Sequence, residues 1–322
     1  MSNILVTGGT GFIGYHLVKH LLKKGHTVTL VDNFFRSKQD ESIKEIRSDI
    51  KMIEADLTNA LNTLPLDKHY DVVFHLAAIN GVKYANQMPD YVLRTNLLST
   101  INVLDWCAEH KPDTVLFASS SEVYNNAYAW GDFPLPTSEN TPLCIDVDIP
   151  RNAYAGSKLT GELLTLNYGK RHGFNTRMVR YHNIYGPRMG YDHVIPQLIS
   201  RVMKKESPFQ LYGADQTRAF SYVTDAVEAT YEIGMLTEGH HTVNIGNANE
   251  EIAIRELCQK LFRLMNCQEP IVDAPPFPGS PDRRCPDTEL LRRLTGLQPK
   301  VSLDEGLQHT LEWYLSNAME KV

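Results

Sequence analysis

The stretch Val6-Thr7-Gly8-Gly9-Thr10-Gly11-Phe12-Ile13-Gly14 decides the fold. Just before it, Ile4-Leu5-Val6 is an apolar run that reads as a short buried strand. Just after it, Phe12 to Leu22 is apolar at helical spacing. Strand, glycine turn, helix is the setting a dinucleotide fingerprint requires, and Gly9-x-Gly11-x-x-Gly14 has its spacing, with Gly8 as a fourth glycine. Gly8 and Gly11 permit a turn that side chains would block and let backbone amides approach a pyrophosphate. Phe12 and Ile13 open the helix, whose N-terminus faces the phosphates, and Gly14 lets that helix pack on the sheet.

The next segment tests this reading. A second strand, His26 to Val31, ends at Asp32, eighteen residues past Gly14, where the fingerprint expects an acid on the adenosine ribose. Asp32 would repel a 2′-phosphate, which selects NAD over NADP, and the adjoining Asn33 is a further cofactor-binding candidate; Arg36 nearby is a cation that could soften that choice. A third strand, Lys51 to Ala55, ends at Asp56-Leu57, placed to hold the adenine amine and ring. A fourth, Asp71 to Leu76, runs into Ala77 and Ala78, small enough for close backbone approach to the cofactor; His75 within it reads as a packed histidine.

A helix over 89–109 follows, with proline in its first turn and apolar residues on more than one face, which predicts burial on two sides. A fifth strand, Thr114 to Ala118, leads into Ser119-Ser120-Ser121-Glu122-Val123-Tyr124. The long segment Asn125 to Arg151 is a loop of the length that usually serves function. A helix over 152–171 and a strand over 174–180 complete an alternation that specifies an α/β fold, a Rossmann-like doubly wound parallel sheet. Beyond 180 the pattern loosens, with short strands read over Phe209 to Tyr212 and Ala219 to Val223, apart from Thr242 to Gly246, which returns to the sheet. Asp225 is expected to cap a helix. We divide the chain into an NAD-binding part, 1–180 with 225–247, and a smaller interwoven substrate part, 181–224 with 248–322.

Bulk properties narrow the function. The 322 residues are 42% hydrophobic and carry a formal net charge of −6, which gives no overall basic field for nucleic acid or an anionic membrane. No apolar run approaches the ~20 residues of a membrane span. Five scattered cysteines without a C-x-x-C pair predict reduced thiols in a cytoplasmic protein. No histidine spacing supports a metal site.

The chemistry sits on Tyr154 and Lys158, four residues apart on one helix face. A phenol near pKa 10 is a poor base at neutral pH, and an ammonium one turn away is expected to lower it. Such a pair suits proton removal from a sugar hydroxyl while hydride leaves the same carbon.

With Thr7-Gly8-x-x-Gly11-x-x-Gly14, the serine run, Tyr154/Lys158, Asn183 with Tyr185-Gly186-Pro187-Arg188, Arg218-Ala219-Phe220-x-Tyr222-Val223-x-Asp225 and Arg283-Arg284-x-Pro286-Asp287, the chain resembles the extended short-chain dehydrogenase/reductases. More narrowly, it resembles the NAD-dependent nucleotide-sugar epimerases, dehydratases and decarboxylases, over essentially its whole length. The resemblance implies that Ser120 hydrogen-bonds the sugar O4 beside Tyr154. Ser121 stands where the 4,6-dehydratases carry an acid, which argues against that reaction. The run Ser119 to Tyr124 and Arg284 look like UDP-glucuronate decarboxylases, with Glu122 positioning the ring or serving protonation at C5 and Arg284 near the substrate carboxylate. Asn183, Arg188 and Arg218 are then substrate-binding, Arg218 and Asn183 holding the diphosphate. The implied assembly is a homodimer that pairs the 89–109 and 152–171 helices. UDP-sugar 4-epimerisation is the alternative reaction, and a non-catalytic NAD-sensing module the alternative of another class. Asn125, His182 and the segment Met189 to His193 depart from the family pattern.

Overall fold

The computed structural model describes residues 1–36, 41–124, 127, 131, 133–277 and 279–317. In chain order the first part contains β1 (Asn3–Thr7), α1 (Phe12–Lys23), β2 (Thr27–Asp32), α2 (Glu41–Arg47), β3 (Lys51–Glu54), β4 (Val72–His75), α3 (Val82–Gln87), α4 (Pro89–His110), β5 (Thr114–Ser120), α5 (Asn152–His172) and β6 (Asn175–Tyr181). There follow β7 (Ile184–Tyr185), α6 (Val194–Met203), β8 (Phe209–Tyr212), β9 (Thr217–Ala219), β10 (Ser221–Tyr222), α7 (Val223–Gly234) and β11 (His240–Ile245). The last are β12 (Glu251–Ala253), α8 (Ile254–Leu264), β13 (Ile271–Ala274), β14 (Arg283–Arg284), α9 (Glu289–Thr295) and α10 (Leu303–Asn317).

Seven strands form one sheet in the order β11-β6-β5-β4-β1-β2-β3, every neighbouring pair parallel. This is the doubly wound sheet expected, including the return of β11. Consecutive residues of β1 serve opposite faces. Ile4 and Val6 join a core with Leu17, Val18 and Leu21 of α1, whereas Leu5 joins Val103, Leu104 and Trp106 of α4. A strand buried on both sides is therefore apolar without alternation. The chain order reverses at β1, whose neighbours are β2 and β4, and ligands bind such sheets in the crevice outside the strand ends at that switch point.

Two expectations are corrected. Asp225 does not cap α7: it lies in the first turn, and its carboxylate accepts from the backbone amides of Lys300 and Val301, tying α7 to the segment before α10. The stretch 219–223 is not one strand. It breaks at Phe220, so that β9 pairs with β12 and β14 while β10 pairs with β7. The Phe220 amide donates to the Glu250 carbonyl, and this satisfies the break.

At the β6–β11 edge Arg177 is fully buried. Its guanidinium donates to the carbonyls of Ile233, Leu236, Glu238 and Gly239, the turn that leads from α7 into β11. Among the described residues no helix is long and apolar enough to cross a membrane.

Candidate active site

A cleft of about 600 Å³ opens at the C-terminal ends of the central strands. Its floor is the glycine turn. Gly8 has φ +72°, and a Cβ there would lie 2.6 Å from the Ala77 backbone. At Gly14 a Cβ would lie 2.2 Å from the Gly8 carbonyl oxygen. Both positions exclude side chains, by left-handed backbone and by close packing respectively. Gly11 ends the turn as the residue before α1, and with Phe12 and Ile13 it lines the cleft.

The adenosine end is equally built. The Asp32 carboxylate accepts from the amides of Thr10, at 3.1 Å, and Phe34, at 2.9 Å, which fixes it at the end of β2 beside Asn33. Each carboxylate oxygen keeps acceptor capacity for a hydroxyl. Asp56, Leu57, Ala77 and Ala78 line the same cleft, as do Tyr154 and Lys158. Arg36 is not free to offset the acid: it pairs with Asp192 at 3.3 Å and stacks over the Tyr84 ring. The side-chain-free turn and the anchored acid fit a dinucleotide whose ribose is unphosphorylated.

The catalytic candidates converge at one end of this cleft. Tyr154, in the first turn of α5, is hydrogen-bonded to Ser120 at the end of β5. The Ser120 hydroxyl also accepts from the Glu122 amide. Lys158 donates to the Ala118 carbonyl at 2.7 Å, and its ammonium lies 5.7 Å from the centroid of the Tyr154 ring. The electrostatics reverse one expectation. Burial pushes the Tyr154 phenol up, the nearby Glu122 carboxylate adds to this, and the Ser120 hydrogen bond opposes it. Burial also pulls Lys158 down to about 7, against the attraction of Glu162. The protein by itself therefore keeps the phenol protonated, because desolvation outweighs an ammonium that is itself weakened.

Beyond Tyr154 stands a cationic cluster built around Glu122. Glu122 pairs with Arg284 at 2.8 Å and with Arg151 at 3.1 Å, all three side chains less than one-fifth exposed. Arg284 on β14 stands beside Arg218 on β9 in parallel register. Arg218 is buried and donates to Ser280 Oγ and to the carbonyls of Thr217 and Asp282. Burial, with Arg284 and Arg151 nearby, lowers it to about 9. Asn183, at φ +44°, donates to the Ala219 carbonyl, next to Arg218 in sequence, and Ser121 is buried. Arg188 is the exception among the residues expected at the sugar. Its guanidinium donates to the Thr10 carbonyl and stacks on Tyr15, over the glycine turn, so it lines the cofactor cleft instead.

The structure also shows residues that sequence reading passed over. Arg151 precedes α5 by one residue, and its carbonyl accepts from the Tyr154 amide. An arginine three residues before the tyrosine was the available signal. Behind the site, Ser119 donates to Glu162, and Glu162 holds Arg180 through two oxygens in a buried pair. Arg180 in turn donates to the Tyr124 hydroxyl, which donates to Asn244. His182 is fully buried against Asn244 and held neutral, down to about 3, by burial. His193 lines the cleft, also pushed down, to about 4, by burial with Arg36 nearby. Asn125 lies outside the described residues. His75 is packed between Thr7 and Thr100. Among the described residues His69, Asp71 and Asp113 bring ligand atoms within 4.8 Å, at the opposite end of the strands from the cleft.

A fold of this order, with a glycine turn, an anchored ribose acid and a Ser-Tyr-Lys constellation, defines a nucleotide-dependent oxidoreductase-type site. The profile of the NAD dependent epimerase/dehydratase family matches residues 4–246, and the chain belongs to that family of NAD-dependent enzymes. A UDP-N-acetyl-α-D-glucosaminuronate decarboxylase of Bacillus cytotoxicus is 35% identical over 96% of this chain and 97% of its own. The UDP-glucose 4-epimerase of Thermotoga maritima, solved with UDP-glucose, superposes with a TM-score of 0.86 at 26% identity, covering 98% of this chain and 99% of that one. MoeE5 in complex with UDP-glucuronic acid and NAD gives 0.82 at 28% identity, over 98% and 99%. The cofactor is NAD, in keeping with the cleft's fit to it.

Proposed function

We propose that the protein decarboxylates a UDP-linked uronic acid after transient oxidation at the sugar C4. The observation that carries this is Glu122 held between two arginines immediately beside Tyr154 and Ser120. This supports the reading because Arg284, the arginine assigned to the sugar carboxylate, then adjoins the alcohol-oxidising residues. Bound NAD supplies a hydride acceptor and a cationic ring. Tyr154, as the phenolate that the positive charge of bound NAD would favour over the protonated form, takes the C4 hydroxyl proton, while Ser120 orients that hydroxyl and Lys158 holds the cofactor ribose. A C4 ketone makes the sugar a β-keto acid, and carbon dioxide leaves because the ketone accepts the electron pair as an enolate. Glu122 positions the ring or serves protonation at C5. Arg284 faces the carboxylate, and Arg218 with Asn183 holds the diphosphate.

In this reading residues 1–180 with 225–247 bind NAD, and 181–224 with 248–322 bind the nucleotide-sugar. The enzyme works as a cytoplasmic homodimer through α4 and α5. The partly exposed Leu93, Leu97 and Ile101 of α4, and Leu163 of α5, which is 56% exposed, support that pairing.

Incubation with UDP-glucuronate and with its 2-acetamido analogue, NAD being present, tests the reaction. Release of carbon dioxide with a pentose-nucleotide product is expected from at least one. Isomerisation without mass loss from both would replace the reading with 4-epimerisation, which the likeness to UDP-glucose 4-epimerase favours as the second choice.

A further inference from the structure

Arg151 has no part in the roles assigned above, yet its placement is specific. One guanidinium nitrogen, Nη2, reaches both Glu122 oxygens, at 3.2 and 3.1 Å. Its carbonyl receives the Tyr154 amide, so the side chain leaves the helix one turn before the catalytic phenol. Its stem lies against Gly279, where a Cβ would come within 3.4 Å of Arg151 Cδ. The same loop supplies Ser280 and Asp282 to Arg218. Arg151 therefore spans the gap between the Tyr154 helix and the loop whose Ser280 and Asp282 hold Arg218.

Charge balance indicates what it is for. Arg151, Arg284 and Arg218 converge where, among the described residues, Glu122 is the carboxylate in contact with two of them and Asp282 acts on the third. The neighbouring His193 is neutral. Guanidinium groups this little exposed favour a further anion, and their planar fork matches a carboxylate. We propose that Arg151 is a specificity-determining residue that reads the substrate's sugar carboxylate, with Glu122 holding its guanidinium in position until that carboxylate arrives. This rests on the uronic-acid reading above.

The test is made on NAD-loaded protein carrying Tyr154→Phe, which stops turnover so that binding alone is read. Calorimetry gives Kd for UDP-glucuronate and for UDP-glucose. The parent binds the uronate more tightly. Adding Arg151→Met weakens uronate binding by roughly 10- to 100-fold, the scale of a lost charge-assisted hydrogen bond, and shifts UDP-glucose by less than about threefold. Arg151→Lys recovers part of the loss. Should Arg151→Met not fold, Arg151→Gln is read the same way. If the parent prefers the uronate and the Arg151 variants prefer it equally, the role of Arg151 is overturned while the uronic-acid reading stands. If the parent shows no such preference, the uronic-acid reading fails and this one with it.

Discussion

On the function proposed above, the two ends of the catalytic cleft recognise their ligands by different physics. At the NAD end the protein offers shape: a turn that admits no side chain at Gly8 or Gly14, small residues opposite, and one anchored carboxylate. At the sugar end it offers charge: Arg151, Arg218 and Arg284 around Glu122, drawn from segments far apart in the chain. The contrast teaches that shape is fixed by local backbone and tolerates little change. Charge is assembled across the fold and can be retuned one residue at a time.

The largest effect should come where the two ends meet. Tyr154→Phe removes the proton-transfer group and is expected to slow turnover by about 10²–10⁴-fold. Nucleotide-sugar affinity should stay within about threefold, measured by product formation alongside calorimetry. An equal loss of binding would mean that the phenol belongs to the charge-reading end alone.

The charged end should also depend on its buried support. Glu162→Gln leaves Arg180 without its ion-pair partner and should cost about 3–5 kcal/mol by denaturant unfolding. Gly8→Ala should cost less, about 1–3 kcal/mol, from strain at a positive φ and from the Ala77 backbone, while lowering NAD affinity. If Gly8→Ala left NAD affinity intact, shape would not be the discriminating element at that end.

A further effect concerns pH. The folded-state pKa of Lys158 is about 7, below the 10.5 of an exposed lysine. Between those values the unfolded chain binds the extra proton, so this group's contribution to stability rises as pH rises from 7 toward 10.5. Thermal unfolding of the NAD-free protein at about pH 7 and pH 9.5 should show the rise, and Lys158→Met should flatten it. Equal slopes in the two proteins would refute the depressed value.

The same contrast explains what was legible in the sequence. The sheet, its switch point, the glycine turn and Asp32 follow from short-range signals: apolar runs, glycine spacing, and an acid at a fixed distance. Tyr154 and Lys158 were readable for the same reason, since one helix face carries both. The sugar end was read through resemblance, and only in part. Arg151 offered only its position three residues before Tyr154, because its meaning arises from Glu122, twenty-nine residues earlier. Arg188 was placed with the sugar, but the turn after β7 aims it back over Thr10. The Tyr154 phenol was expected to be acidified by its neighbour, whereas desolvation is a property of the folded surroundings and outweighed the pair. The break at Phe220 likewise reflects which strands lie on either side of it.

Arg177 has a practical corollary. A designer who wished to lift out the nucleotide half as a portable module, by ending the polypeptide after β6, would strand a guanidinium whose acceptors are carbonyls contributed more than fifty positions later. That excised piece should be insoluble, and grafting this half onto a foreign partner would have to carry the 233–245 return along with it.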